Sequence, residues 1–174
     1  RSAELWLYTD ASFGNLNESV DSTGAYILLL VNTANGRCAP LDWKANKVKR
    51  VVTSTLAAET LSLYAGLDAA IAMREQLREM LGLDHNLFIR AMVDNKSTVD
   101  TVHAAVSLTT EKRLRKEIGA IKQMLKENKL KQLKWVPTQH MLADALTKTG
   151  VNSLRLLKVI QPGILDREYL ESVL

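Results

Sequence analysis

Leu5-Trp6-Leu7-Tyr8-Thr9, closed by Asp10, decides how this chain folds: an apolar run of strand-forming residues is stopped by a carboxylate. The pattern returns once, where Leu87-Phe88-Ile89-Arg90-Ala91-Met92-Val93 stops at Asp94. Between the two, a loop with Gly14, Asn15 and Asn17 leads into a long strand over residues 24–33. Asn35-Gly36 is a strong hairpin signal, so a third strand is expected to return antiparallel over about 39–47. Thr53 or Ser54 supplies an N-cap for a helix reaching about residue 81, where Gly82 ends it. Beyond Asp94 the pattern predicts a short helix over about 95–105, a longer one over about 111–128, and a fifth strand over about 130–136 closed by Pro137. A last helix over 142–148 ends at Gly150. Three strands, helix, strand, two helices, strand, helix is an α/β layout.

The 174 residues suit one domain, placed at 1–150, with a C-terminal helical extension over 151–174 around Pro162-Gly163. In that extension Leu154, Leu156, Leu157, Val159 and Ile160 suggest packing against the body or a neighbouring domain. A chain this size buries roughly 70% of its unfolded surface, enough to fold without a staple. The single cysteine, Cys38, makes neither an internal disulfide nor a thiolate metal cluster. The longest apolar run, 25–31, has seven residues, so no bilayer-spanning helix is expected. The opening Arg1-Ser2-Ala3 lacks a methionine, which suggests a piece of something longer. Secreted scaffolds, zinc fingers and membrane proteins are thereby set aside.

Net charge is +4, but it is unevenly distributed. Residues 44–50 carry +4 and residues 111–134 carry +6, so the remainder is acidic at −6. That split suits a nuclease, with bases for phosphates and acids for metal; a solvated helix face is the plainer account.

The acids stand in unexpected places. Glu59 shares a helical face with Leu56, Leu63 and Ala70, the face expected to pack on the sheet. A carboxylate there is costly without a partner, although a first-turn glutamate also suits the helix dipole. Asp10 and Asp94 each follow an apolar strand; if those strands are parallel neighbours, both emerge at the edge where open α/β sheets bind ligands. Asp144 lies in the last helix beside Leu142, Ala143 and Leu146, either in this group or as an ordinary first-turn acid. Four acids in one crevice would repel and drive up one another's pKa values. A pair of hard divalent cations such as Mg²⁺ removes the conflict, and two such ions can activate a water on a phosphodiester.

Tyr8-Thr9-Asp10-Ala11-Ser12, Asp21-Ser22-Thr23-Gly24-Ala25-Tyr26, Thr53-Ser54-Thr55-Leu56-Ala57-Ala58-Glu59, Val93-Asp94-Asn95-Lys96-Ser97, Trp135-Val136-Pro137-Thr138 and Leu142-Ala143-Asp144-Ala145-Leu146-Thr147-Lys148 occur in this order. Together they resemble the ribonuclease H region of copia-type LTR retrotransposon Pol proteins, over residues 5–150 or so. The resemblance implies a ribonuclease H-like fold, a five-stranded mixed sheet of order 3-2-1-4-5 with strands 1–3 antiparallel. It implies Asp10, Glu59, Asp94 and Asp144 as catalytic ligands of two Mg²⁺ ions, with Mn²⁺ as a substitute. It further implies endonucleolytic cleavage of the RNA strand of RNA–DNA hybrids, leaving 5′-phosphates. The partner domain would be the reverse transcriptase polymerase of the same polyprotein, and the setting cytoplasmic virus-like particles. As an isolated domain it would be a monomer that touches no membrane.

Bacterial and retroviral relatives place a histidine ten residues before the last aspartate. Here the loop is short and His140 is the remaining candidate, near the site by its i, i+4 spacing or else exposed in the loop. His85 and His103 read as structural or solvated. Substrate contacts are expected from Ser12 and Asn95 beside the acids, and from Lys112, Arg115, Lys122, Lys126 and Lys129, which flank the apolar stripe Leu114, Ile118, Ile121 and Leu125. Trp43 and Trp135 read as core residues, with stacking on a sugar or base as the alternative. A catalytically inactive binding module is the competing function. Proofreading exonucleases are disfavoured because Ser12 stands where their second acid would be, and integrases because they lack the helix acid.

Overall fold

The structure, a computed structural model, describes residues 3–13, 22–48, 52, 54–82, 87–105, 112–148 and 153–174. Gly14, Asn15, Asn17, Asp21, Lys49, Arg50, Thr53, His85 and Gly150 lie outside the described residues. In chain order the elements are β1 (Ala3–Ser12), β2 (Thr23–Asn32), β3 (Cys38–Lys47), α1 (Thr55–Leu81), β4 (Phe88–Val93), α2 (Lys96–His103), α3 (Arg115–Lys126), β5 (Gln132–Trp135), α4 (Asp144–Thr147), α5 (Leu154–Ile160) and α6 (Arg167–Val173). The five strands form one sheet of order β3-β2-β1-β4-β5, as expected. β1, β2 and β3 are antiparallel, whereas β4 lies parallel to both β1 and β5.

Local chemistry accounts for the main joints. The Asn35-Gly36 turn forms, but its loop is longer than two residues: the Asn32 N–H donates to Arg37 O at 2.8 Å. Gly36 adopts φ 73°, and a Cβ there would stand 2.5 Å from the Leu165 carbonyl oxygen, so glycine is required twice over. Ser54 is the N-cap of α1, its hydroxyl accepting from Ala57 N at 3.1 Å, and Gly82 closes the helix in the left-handed region. α1 seats closely on β1 because Gly66 has no side chain: a Cβ would meet Thr9 Cγ2 at 2.9 Å.

β1 is buried on both faces, which explains its unbroken apolar run. Leu5 and Leu7 pack with Leu63 and Leu67 of α1, Ile89 of β4 and Ile121 of α3. Trp6 and Tyr8 point the other way, into a layer completed by Val159, Leu165, Tyr169 and Val173. The C-terminal extension thus roofs the second face of the sheet. Its backbone also joins the β2–β3 hairpin, with Cys38 N donating to Gly163 O at 2.7 Å and Leu165 N to Gly36 O at 2.9 Å. The expected packing holds for Leu156, Val159 and Ile160, but Leu154 and Leu157 are exposed.

One expectation fails by length and composition. α1, at 27 residues, contains an 18-residue stretch apolar enough to cross a membrane. Half of that stretch is buried, and its inner residues Leu63, Leu67 and Ala70 are spent on the sheet.

Candidate active site

Asp10 lies on β1, Glu59 on α1, which follows β3 and leads into β4, and Asp94 just after β4. β4 runs parallel beside β1, and their mutual pairing ends with Tyr8 opposite Met92, so Asp10 and Asp94 lie just beyond the same end of that pair. Asp94 directly follows β4, as expected. Asp10 does not follow β1 but sits within it, opposite Ala25, because antiparallel pairing to β2 carries the strand on to Ser12. The Ser62 hydroxyl lies 2.9 Å from the Asp10 carbonyl oxygen and 3.1 Å from that of Ala25, tying α1 to both strands at this point. One and a half turns into α1, Glu59 reaches the same edge, and its Oε1 accepts from Ala11 N at 3.3 Å.

Ligand oxygens of Asp10, Glu59 and Asp94 all lie within 4.8 Å of one another. Asp10 and Glu59 are buried, and Glu59 Oε2 has no hydrogen-bond partner among the described residues. Burial, reinforced by the charges of Asp10 and Asp94, pushes the Glu59 carboxyl up to about 9. Asp10 is also raised, by burial first and then by Asp94 and Asp144; a hydrogen bond from Thr147 and the charge of Lys148 oppose the rise. Asp94 is held at two points: Thr138 Oγ1 donates to its Oδ2 at 3.0 Å, and Trp135 Nε1 to its carbonyl at 2.9 Å. This is an oxygen-only, electron-rich cluster whose mutual repulsion suits a hard cation.

Asp144 stands outside the triad. It is buried at the start of α4 and close enough to raise Asp10, but its Oδ1 is held by the Lys148 ammonium, while Thr147 Oγ1 bonds Asp10 Oδ2. Thr138, Thr147 and Lys148 stand in the quoted strings, but neither they nor Ser62 received a role from the sequence. The i, i+4 spacing of Asp144 and Lys148 was the available signal for one of them.

No family model matches the sequence, and no curated protein matches it. Solved structures do. The N-terminal RNase H domain of a Mycobacterium tuberculosis protein is 17% identical, with a TM-score of 0.55 over 84% of this chain and 91% of that one. LC11-RNase H1, isolated from compost by a metagenomic approach, is 14% identical with a TM-score of 0.57 over 82% and 91%. The same enzyme, solved in complex with an RNA/DNA hybrid, gives 17% and 0.52 over 82% and 93%.

This chain has the ribonuclease H-like fold.

Within that fold the remaining expectations separate. His140 is neither exposed nor turned to the triad: it is buried, its Nε2 lies 2.8 Å from Glu168 Oε1, and its ring packs 5.1 Å from Tyr169. The extension, whose place the sequence did not reveal, covers it. His103 is exposed, with Nε2 at 3.2 Å from Leu133 O. Ser12 ends β1, half-buried, and Asn95 caps α2, its side chain accepting from Thr98 N at 3.1 Å.

The long basic helix is shorter than expected, a 3₁₀ turn at Lys112–Leu114 leading into α3, while Glu111 lies outside the described residues. Its stripe is as read: Leu114, Ile118 and Ile121 are buried and Leu125 half-buried. Lys112, Arg115 and Lys126 are exposed. Lys122 instead turns to the Ala104 carbonyl at 2.6 Å, and Lys129 lies beyond α3, paired with Glu127 at 2.7 Å. Trp43 and Trp135 are not core residues: they are 60% and 44% exposed. Trp43 sits on β3, the edge strand, where pairing with β2 uses only one side.

Proposed function

We propose that this chain is a ribonuclease H that hydrolyses the RNA strand of RNA–DNA hybrids endonucleolytically. The observation that carries the reading is the three-carboxylate cluster, with its buried unpartnered Glu59 oxygen, at the strand edge of a ribonuclease H-like fold. A hybrid-bound structure of the similar LC11-RNase H1 supports the substrate class.

The donor set fits hard divalent ions. Asp10, Glu59 and Asp94, together with Asp144, would hold two Mg²⁺ ions, or Mn²⁺ in their place. When bound, the pair supplies an activated water and charge stabilisation for the leaving oxygen. The chain's own groups fix the acids: Ala11 N–H orients Glu59, Thr138 and Trp135 hold Asp94, and Thr147 holds Asp10. Ala11 and Ser12 keep the neighbourhood small, so that backbone and Glu59 can reach the 2′-hydroxyls that distinguish RNA from DNA. Exposed Lys112, Arg115 and Lys126 would meet phosphates without sequence preference.

The six ordered strings support a finer assignment, a copia-type retrotransposon Pol domain acting beside a reverse transcriptase polymerase in virus-like particles. The activity is tested with a 5′-labelled RNA–DNA hybrid and Mg²⁺. Cleavage of the RNA strand that is lost on chelation and in Asp94→Asn is expected. Hybrid binding without cleavage would replace the enzyme with a binding module.

A further inference from the structure

Lys148 follows the single turn of α4, and its ammonium bonds Asp144 Oδ1. The charges of Asp10 and Asp94 act on the same ammonium, and it acts in turn on Glu59. One cation of the chain's own therefore serves four carboxylates. Its neighbour Thr147 bonds Asp10 Oδ2, so the end of α4 occupies oxygens on two of the proposed metal ligands. The two members of the ion pair differ in access: the Asp144 side chain is 9% exposed and that of Lys148 43%. The acid is fixed, whereas the lysine stem has solvent to move into.

We propose that Lys148 is a built-in counter-ion of the metal-free site, one that a divalent ion must displace from Asp144, and that it thereby sets the metal affinity. The proposal rests on the metal-dependent reading above. Like charges a few ångströms apart repel strongly in a partly buried crevice, so ammonium and metal compete for one carboxylate. Lysine suits the task because its compact charge rides a flexible stem; a guanidinium, with a rigid fork matched to carboxylate, would leave less readily.

The test titrates MnCl₂ alone into the whole chain by calorimetry, with thermal unfolding in chelator as a second readout. Lys148→Met keeps the stem and removes the charge. It should bind Mn²⁺ about tenfold more tightly, as loss of a competing charge predicts, while melting at a lower temperature without metal. Lys148→Arg should bind no more tightly than the natural chain. A purely structural lysine would lower the melting temperature in Lys148→Met and leave Mn²⁺ affinity unchanged or weaker, which overturns the proposal. Tightening by both variants also overturns it, since charge would not be the cause. Absence of Mn²⁺ binding in every protein, the natural chain included, removes the metal reading and this inference together.

Discussion

Ending the chain at residue 152 should abolish its stable fold. The cut removes Val159, Leu165, Tyr169 and Val173, between 0% and 8% exposed, which roof Trp6, Tyr8, Ile27, Leu29 and Met92. At about 1.5–3 kcal/mol for each fully buried apolar side chain, the loss is about 6–12 kcal/mol, an upper estimate because the unfolded chain already buries some surface. Whole domains are stable by only about 5–15 kcal/mol. The two backbone hydrogen bonds from the extension to the hairpin go as well. Urea unfolding followed by tryptophan emission, with dye binding to exposed apolar surface, reads the outcome: the shortened chain should bind dye and lack a cooperative transition. Val173→Ala in the full chain gives the graded version, about 2 kcal/mol from two lost methyl-sized groups and the cavity they leave. A shortened chain that melts cooperatively within about 2 kcal/mol of the full one would refute the two-faced core.

Gly66→Ala should destabilise the fold by about 1–3 kcal/mol through overpacking against Thr9 and Leu7, seen as a lower melting temperature, despite alanine's better helix propensity; a stabilised variant in a thermal scan would show that the α1–β1 contact gives way easily. Glu4 answers to acid: burial alone would raise its carboxyl, but hydrogen bonds from Arg90, Lys131 and Trp6 outweigh burial and hold it below the usual range. Its contribution is therefore complete above the unfolded value near 4.5 and fades as pH falls through the lower folded one, so Glu4→Gln should flatten the acid side of a stability–pH curve. An unchanged slope in urea titrations between pH 5 and about 3 would contradict this. Lys126→Glu should weaken hybrid binding and reduce its salt slope by about one or two, whereas Lys122→Glu, which loses the Ala104 bond, should lower stability first; equal effects on binding, seen by anisotropy over a salt series, would undo that division.

Several strand and helix boundaries were legible because they carry their own punctuation, although β1 runs past Asp10 to Ser12. Asp94 stops β4, Ser54 and Gly82 bracket α1, and Asn35-Gly36 turns the hairpin. What was not legible depends on partners far along the chain. The extension's leucines announced helices but not the face they cover; the sign was in β1, where Leu5-Trp6-Leu7-Tyr8 leaves no polar side for solvent. His140 followed the same logic, since Glu168 and Tyr169 reach it only through that long return. The tryptophans were misplaced for another reason: residue type favours the interior on average, but an edge strand and a tether to Asp94 keep Trp43 and Trp135 outside. Among the acids, the strand end at Asp94 and the helix position of Glu59 were readable, whereas Asp10 lies inside a longer β1 and the engagement of Asp144 by Lys148 required atomic positions.

The indole N–H of Trp135 donates to the carbonyl of Asp94, and nearly half of that residue meets solvent. The fold has thus wired an optical reporter to one corner of its acidic cluster, while Trp6 supplies a shielded internal standard and Trp43 can be silenced by Trp43→Phe. Binding beside Asp94 should therefore change Trp135 emission in the Trp43→Phe chain, with no dye attached.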